Sequence, residues 1–493
     1  MKILRNPVLA LLLASCLLAC SGRNEAGSNP KDARAYLDRG IAHGQKGEFD
    51  QAIADFNLAL KLAEDTASTA FYNRGISYLH KGATDLAIAD FSKVLELNPK
   101  DAKAFSSRGS AYAQKGDLEQ AIKDYTRALE LDPKDVEAFF SRGFAYAQKE
   151  DFEQAIKDYT RALELNPKYA LDVYNNRGNA YAQKGDLDRA IADYTQALEV
   201  NPKDSQVYYN RGDAYAQRGD FEQAIKDYTR SLELNPKEGK AFSSRGFAYA
   251  QKGDSERAIA DYNQALKLNP NMAQAQGNRG NVYFKKGELD RAIADYNRII
   301  ELSPKDEKAY YNRGLIYGRN EDFDRAIADF NRALEINPKD AEAYYTRGFT
   351  YSKKGDLDRA IADFNCALEL DPKYEDVYIH RGIAYEKKRD WDRAIADYTR
   401  AVELSPKDEK AYYNRGLAYD KKGDWTRALA DFNQVLELNP KDSEAHWKKA
   451  MLLDKAGKQK EALEAYQNFI KYAPPKAKEY IQQAQERIKA LEK

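Results

Sequence analysis

The chain has 493 residues and carries 78 Lys plus Arg against 78 Asp plus Glu, a net charge of zero. That balance excludes a nucleic-acid binder held by bulk positive charge. Three cysteines and four histidines, scattered along the chain, offer no disulfide framework or metal-ligand spacing, so no metal or other cofactor is expected. With 35 Tyr and 19 Phe, the composition is not that of a disordered chain.

The first residues read as an export signal. Lys2 and Arg5 precede an almost wholly apolar run over 7–18, the order of a positive segment and a short hydrophobic one. The run is shorter than the ~20 residues a membrane-spanning helix needs. Leu17-Leu18-Ala19-Cys20 follows. It resembles the bacterial lipobox, which implies cleavage after residue 19 and lipidation of Cys20. Leu13-Ala14-Ser15-Cys16 fits the same pattern, but cleavage there would leave apolar residues at the new N-terminus. Acyl chains hold a protein to a bilayer by ~0.8 kcal/mol per buried CH₂. Ser21, rather than aspartate, after the cysteine implies the outer membrane, facing the periplasm. Residues 20–32 then read as the lipidated cysteine and a polar tether, of which 21–30 reach at most ~35 Å.

From residue 33 the chain repeats. An Arg-Gly pair places its glycine at Gly40, Gly75, Gly109, Gly143, Gly178, Gly212, Gly246, Gly280, Gly314, Gly348, Gly382 and Gly416. Nine successive spacings are 34 residues and two are 35. Self-similarity at a fixed period marks a solenoid, whose core grows by stacking. In the unit 102–135, counted from Ala102 as position 1, Phe105, Gly109, Tyr112, Ala121, Tyr125, Ala128 and Pro133 stand at positions 4, 8, 11, 20, 24, 27 and 32. Positions 4, 8 and 11 share one face of a helix A, and 20, 24 and 27 one face of a helix B. Gly116-Asp117 suits the turn between them, Pro133 stops helix B, and Asp135 can cap the next helix A.

This pattern resembles the tetratricopeptide repeat. The resemblance implies an all-α solenoid, a right-handed superhelix of about 13 helix-turn-helix repeats over 33–476, with helix A lining a concave groove. Repeat 13 (443–476) is degenerate, with Lys449-Ala450 in place of Arg-Gly. Residues 477–493, with Ala477, Tyr480, Ile481, Ala484, Ile488 and Leu491 at helical spacing, read as a capping helix. Where the family usually has leucine at position 7, this chain has arginine in all twelve clear repeats, and aspartate stands at position 23 in the same twelve. One arginine per aspartate points to a repeated structural ion pair, with the choice between a pair inside a repeat and one between neighbours left open.

Positions 2, 6, 9 and 13 of helix A fall on a face away from 4, 8 and 11 and are the candidate groove. Position 6 holds Asn73, Asn176, Asn210, Asn278, Asn312 and Asn414, with Ser107, Ser141 and Ser244 between. The resemblance implies that asparagines there hold an extended peptide backbone, since an amide donates and accepts at once. Position 13 is Gln114, Gln148, Gln183, Gln217 and Gln251 in repeats 3 to 7, then Lys285, Arg319, Lys353, Lys387 and Lys421 in repeats 8 to 12. The later groove is therefore expected to favour acidic segments. The repeats are otherwise so alike that none stands out, which suits an extended ligand. Cys366, at position 26, is a free thiol on a polar helix face. No phosphate loop, nucleophile triad or carboxylate pair stands apart from the repeat, so no enzyme is expected. The expected function is a membrane-anchored scaffold of the bacterial envelope binding proteins or peptides; the alternative is a self-associating envelope protein.

Overall fold

The structure is a computed structural model that describes residues 32–166 and 170–492. Cys20, the export signal and most of the tether lie outside the described residues. Every regular element among those described is a helix, 27 in chain order from Ala33–Gln45 to Lys478–Leu491. They pair as the period predicts: repeat 3 is Ala102–Lys115 (helix A) followed by Leu118–Leu131 (helix B). None of the described helices is long and apolar enough to cross a membrane.

The punctuation is local chemistry. The Asp101 carboxylate accepts from the Ala104 N–H at 3.0 Å and caps helix A. Gly116 ends that helix at φ 92°, a left-handed conformation that glycine alone adopts freely. Asp117 then accepts from the Gln120 N–H at 3.1 Å and caps helix B. Asp135 caps the next helix A in the same way, at 3.0 Å from the Ala138 N–H. Where the turn glycine is replaced, the backbone stays left-handed: Glu150, Glu321 and Arg389 have φ of 63°, 59° and 59°.

Within a repeat the two helices meet at position 8. A Cβ on Gly382 would lie 2.7 Å from Cε1 of Tyr398, so the ring at position 24 fills the space the glycine leaves. Ala121, Tyr125 and Ala128 are fully buried, as expected, and so are Ala104 and Ala111 at positions 3 and 10. Phe105 and Tyr112, at positions 4 and 11, are only half-buried. The face of Phe105 is covered by the Arg108 guanidinium, 5.6 Å from the ring centroid, within cation–π range.

The arginine–aspartate pairs lie inside each repeat. In repeat 3, Arg108 Nε donates to Asp124 Oδ2 at 2.7 Å and Nη2 to Oδ1 at 2.9 Å. The same two-pronged geometry holds helix A to helix B in all twelve clear repeats, from Arg39–Asp55 to Arg415–Asp431. Its hydrogen bond to Asp124 raises the Arg108 pKa above the ordinary arginine value, against the opposing effect of burial. The third prong reaches backwards: Arg108 Nη1 donates to Ser92 Oγ in repeat 2 at 3.0 Å. Position 25 is Ser, Thr or Asn in every clear repeat, and the same backward reach is made from Arg74 through Arg245 and from Arg313 through Arg415, so in these repeats one side chain closes its own repeat and also pins it to the one before.

The chain divides into two compact units, one ending at Pro270 and the other beginning at Asn271. The first holds repeats 1 to 7. The second holds repeats 8 to 13 and the final helix, Lys478–Leu491. There, Ala484 is fully buried, and Ile481, Ile488 and Leu491 pack on Leu453, Tyr466 and Phe469. Ala477 stands just before the helix as its N-cap. Repeat 13 has lost its arginine clamp, and a substitute appears: Arg487 of the final helix grips Asp454 at 2.8 and 2.7 Å.

Candidate functional site

Helix A presents positions 6, 9 and 13 as one row per repeat, and the two units treat that row differently. In the first unit the position 6 side chains are engaged within the chain. Asn73 donates to the Thr69 carbonyl and Asn176 to the Asp172 carbonyl, each at 2.8 Å. Asn210 donates to Asn175 at 3.0 Å and to Asn179 at 3.3 Å, and accepts from Gln206 at 2.8 Å. Ser107, Ser141 and Asn176 are buried. In the second unit, Asn278, Asn312 and Asn414 are half-buried, and among the described residues their amides make no hydrogen bond.

Position 9 answers the ring at position 24. Where that ring is tyrosine, a polar side chain can take its hydroxyl: Tyr125 with Ser110 at 3.0 Å, Tyr194 with Asn179 at 2.7 Å, Tyr228 with Asp213 at 2.6 Å, Tyr296 with Asn281 at 2.6 Å. Burial is the main influence on Asp213 and raises its pKa, although hydrogen bonds from Tyr228, Tyr209 and Ser244 oppose the shift. Where the ring is phenylalanine, position 9 is apolar: Leu315 with Phe330, Phe349 with Phe364, Leu417 with Phe432. Repeat 11 keeps an apolar residue, Ile383, although its ring is Tyr398, whose hydroxyl turns to Glu386 instead, so repeats 9 to 12 expose an apolar floor of Leu315, Phe349, Ile383 and Leu417, each half-buried.

Beside that floor stand the five position 13 cations, all exposed. None of Lys285, Arg319, Lys353, Lys387 and Lys421 has an ion-pair partner among the described residues. Their sequence neighbours at position 14 do: Lys354 pairs with Asp324, Lys388 with Asp358 and Lys422 with Asp392. Position 14 therefore belongs to the scaffold; at position 13 the four lysines are left for solvent or a ligand, while Arg319 also donates to the Phe284 carbonyl at 3.4 Å. Lys353 lies over the Phe349 ring at 5.2 Å, and Arg319 over that of Phe284 at 4.9 Å. Two acids of the same helices are already engaged, Glu342 by the Tyr311 hydroxyl at 3.1 Å and Glu386 by that of Tyr398 at 3.1 Å.

Position 5, which helical spacing does not place with 2, 6, 9 and 13, is also part of this surface. The Tyr311 hydroxyl meets Thr346 Oγ1 at 3.1 Å, and that of Tyr345 meets His380 Nδ1 at 3.2 Å. Each joins position 5 of one repeat to position 6 of the next. The signal was present in the sequence as paired aromatics, Tyr310-Tyr311, Tyr344-Tyr345 and Tyr412-Tyr413. Cys366 is a partly covered free thiol, and burial raises its pKa, so it is held in the unreactive form. Among the described residues no group of acids, histidines or cysteines could hold a metal ion.

Comparison with known proteins agrees with this architecture. Family models described as TPR repeat match residues 109–149, 246–287 and 280–321. Models described as tetratricopeptide repeat match 33–66, 68–101, 136–169, 175–238, 307–340, 341–374, 379–443 and 413–478. No curated protein matches the chain significantly. Among solved structures, yeast Tom70 is 17% identical and covers 86% of this chain and 96% of its own, with a TM-score of 0.37. YrrB, described as a TPR protein with an unusual peptide-binding site, is 25% identical over 38% of this chain and 95% of its own, with a TM-score of 0.34. A structure of MamA is 29% identical over 36% of this chain and 96% of its own, with a TM-score of 0.33. The chain belongs to the tetratricopeptide repeat family, and with it to a class of repeat scaffolds for protein–protein interaction.

Proposed function

We propose that the second unit binds an extended, acidic segment of a partner protein along helix A of repeats 8 to 12, on a chain anchored to the bacterial envelope through lipidated Cys20. The observation that carries this reading is the coincidence, on one set of helices, of five exposed cations without ion-pair partners and three asparagines with free amides. A free amide can donate to a peptide carbonyl and accept from its N–H. An unpaired ammonium or guanidinium favours carboxylates nearby, and a row of them steers an acidic chain onto the surface. The same positions in repeats 3 to 7 are glutamine, so the first unit offers no such row. Many weak contacts along one segment add up through effective concentration, without one deep pocket. Support for the anchor comes from the Leu17-Leu18-Ala19-Cys20 pattern, and the envelope setting rests on that.

Fluorescence anisotropy with a labelled octapeptide of alternating aspartate and alanine tests the groove. Lys353→Glu with Lys387→Glu should weaken binding at least tenfold at low salt, while a lysine–alanine peptide should not bind the native chain. Equal binding by the native and doubly reversed chains would discard the reading. For the anchor, labelled palmitate should enter the native chain and not Cys20→Ala. Light scattering of the chain without its anchor should show a monomer; a dimer closed over helix A of repeats 8 to 12 would favour self-association instead.

A further inference from the structure

The proposed groove is not uniform. Between repeats 9 and 10 it deepens into a cavity of about 350 Å³, at the lower end of the roughly 300–1,000 Å³ typical of ligand pockets. Leu315, Phe323, Phe330 and Phe349 form apolar walls, and two cations, Arg319 and Lys353, and one acid, Glu321, stand among the lining residues. The opening depends on Gly318. Position 12 is alanine in repeats 3 to 7 and phenylalanine, Phe284, in repeat 8. A Cβ on Gly318 would meet only the Ala326 Cβ, at 3.9 Å, so the missing side chain leaves open space and not a tight helix contact. This sets it apart from the position 8 glycines, whose absent side chain is replaced by a packed ring.

We infer that this cavity is a specificity pocket that takes one apolar side chain of the acidic segment, with the carboxylates flanking that side chain on Arg319 and Lys353. Charge complementarity favours an acidic occupant: two cations without ion-pair partners stand against one acid, Glu321, in the lining. The wall favours an apolar side chain: it has four carbon-rich residues, and the two threonine hydroxyls of the lining are engaged, Thr346 with the Tyr311 hydroxyl and Thr350 as donor to the Thr346 carbonyl. An extended segment alternates its side chains between two sides, so an apolar residue pointing down shares its side with the residues two positions away in each direction, and acids there meet the charges at the rim. The inference deepens the proposed groove and depends on it, but it fixes where along the groove the ligand's register is set.

The test uses the full chain and two labelled octapeptides that alternate aspartate with alanine and differ only at the third aspartate position, which is leucine in one and alanine in the other. The leucine peptide should bind roughly tenfold more tightly, as burial of one leucine side chain allows. Gly318→Leu fills the cavity, and it should bring the leucine peptide down to the affinity of the alanine peptide while leaving the latter unchanged. Phe349→Ala, which removes a wall, should also erase the preference for leucine, and it carries the test if Gly318→Leu fails to fold. If both peptides bind and neither substitution alters the preference, the pocket is overturned and the groove stands. If neither peptide binds the native chain, the groove falls and the pocket with it.

Discussion

Arg245 grips Asp261 through two parallel hydrogen bonds of 2.7 and 2.8 Å and, with its remaining terminal nitrogen, donates to Thr229 of the preceding repeat at 3.0 Å. The arginine side chain is 18% exposed and the aspartate 8%. Removing the arginine strands a buried carboxylate, which costs about 3–5 kcal/mol. Arg245→Leu should lose stability on that scale in urea unfolding, with hydrogen exchange rising first in repeats 6 and 7. Arg39 makes the same grip on Asp55, whose side chain is as buried at 6%, but the arginine is 40% exposed, makes no seam contact among the described residues, and His43 Nε2 lies 3.8 Å from the same carboxylate. Arg39→Leu should therefore lose less than Arg245→Leu, because water screens the pair and His43 stands by the stranded acid. Equal losses at both positions would mean that burial and the seam contact are irrelevant.

Among the described residues, three turns are left-handed without glycine, at Glu150, Glu321 and Arg389. A side chain in that conformation costs about 1–2 kcal/mol, partly offset by the greater freedom glycine has when unfolded. Glu150→Gly and Arg389→Gly should each stabilise the chain by about 0.5–1 kcal/mol, and Gly116→Ala should destabilise it by a similar amount. Differential scanning calorimetry would register these as opposite shifts of Tm.

Much of this architecture was legible because each structural task recurs at a fixed position. The 34-residue period, most capping aspartates and most turn glycines follow from local rules repeated along the chain, with exceptions such as Met272 at a helix start and Glu150 at a turn, and the closing helix follows from its own apolar spacing. The arginine–aspartate pairing was legible as a pairing, but its placement was not, since positions 7 and 23 could meet within a repeat or across a seam. The missing partner was position 25, whose Ser, Thr or Asn reads as an ordinary polar helix residue until Arg108 is seen to reach Ser92. The site was half legible. The change from Gln251 to Lys285 at position 13 is visible in the letters, and it coincides with the boundary between the two units at Pro270. What the letters do not show is which polar groups are already engaged. Asn210 and Asn312 are the same residue at the same position, yet only Asn210 has Asn175 and Asn179 within reach. Lys353 and Lys354 differ only in direction, and direction decides that one is paired and the other free.

Asp213 gives a third prediction. Its carboxylate takes the Tyr228 hydroxyl at 2.6 Å, in a place where repeats 5 and 8 use Asn179 and Asn281 for the same contact. Burial disfavours its charge and raises its folded-state pKa. A carboxyl so shifted makes the fold less stable as pH rises through its folded value. Asp213→Asn keeps the acceptor and removes the charge, so it should gain on the order of 1 kcal/mol at neutral pH and lose the pH dependence. Urea unfolding at pH 7 and pH 5 checks it: the gain should shrink at the lower pH, and a loss at pH 7 would show that the negative charge is needed by the Tyr228 hydroxyl.

The closing helix supplies a prediction of opposite sign. The Arg487 guanidinium, bound to Asp454 at 2.8 and 2.7 Å, lowers the Asp454 pKa below the usual carboxylate value, and the Tyr466 hydroxyl adds to the effect. A depressed folded-state pKa contributes stability that is complete above the unfolded value, about 4, and is lost as pH falls through the lower folded value. The Lys478–Leu491 helix should therefore detach in acid, below about pH 4, before the repeats beneath it melt. Trp447 reports the event, because its ring packs edge-on against Tyr480 at 5.4 Å and beside Phe469 at 5.0 Å. Trp391 and Trp425 share the emission, so each would first be replaced by Phe. Arg487→Ala should show the detached signal already at pH 7, and Asp454→Asn should flatten the acid transition. A Trp447 emission that does not move between pH 6 and pH 3 would mean that apolar packing of Ile481, Ala484 and Ile488 holds the cap without the ion pair.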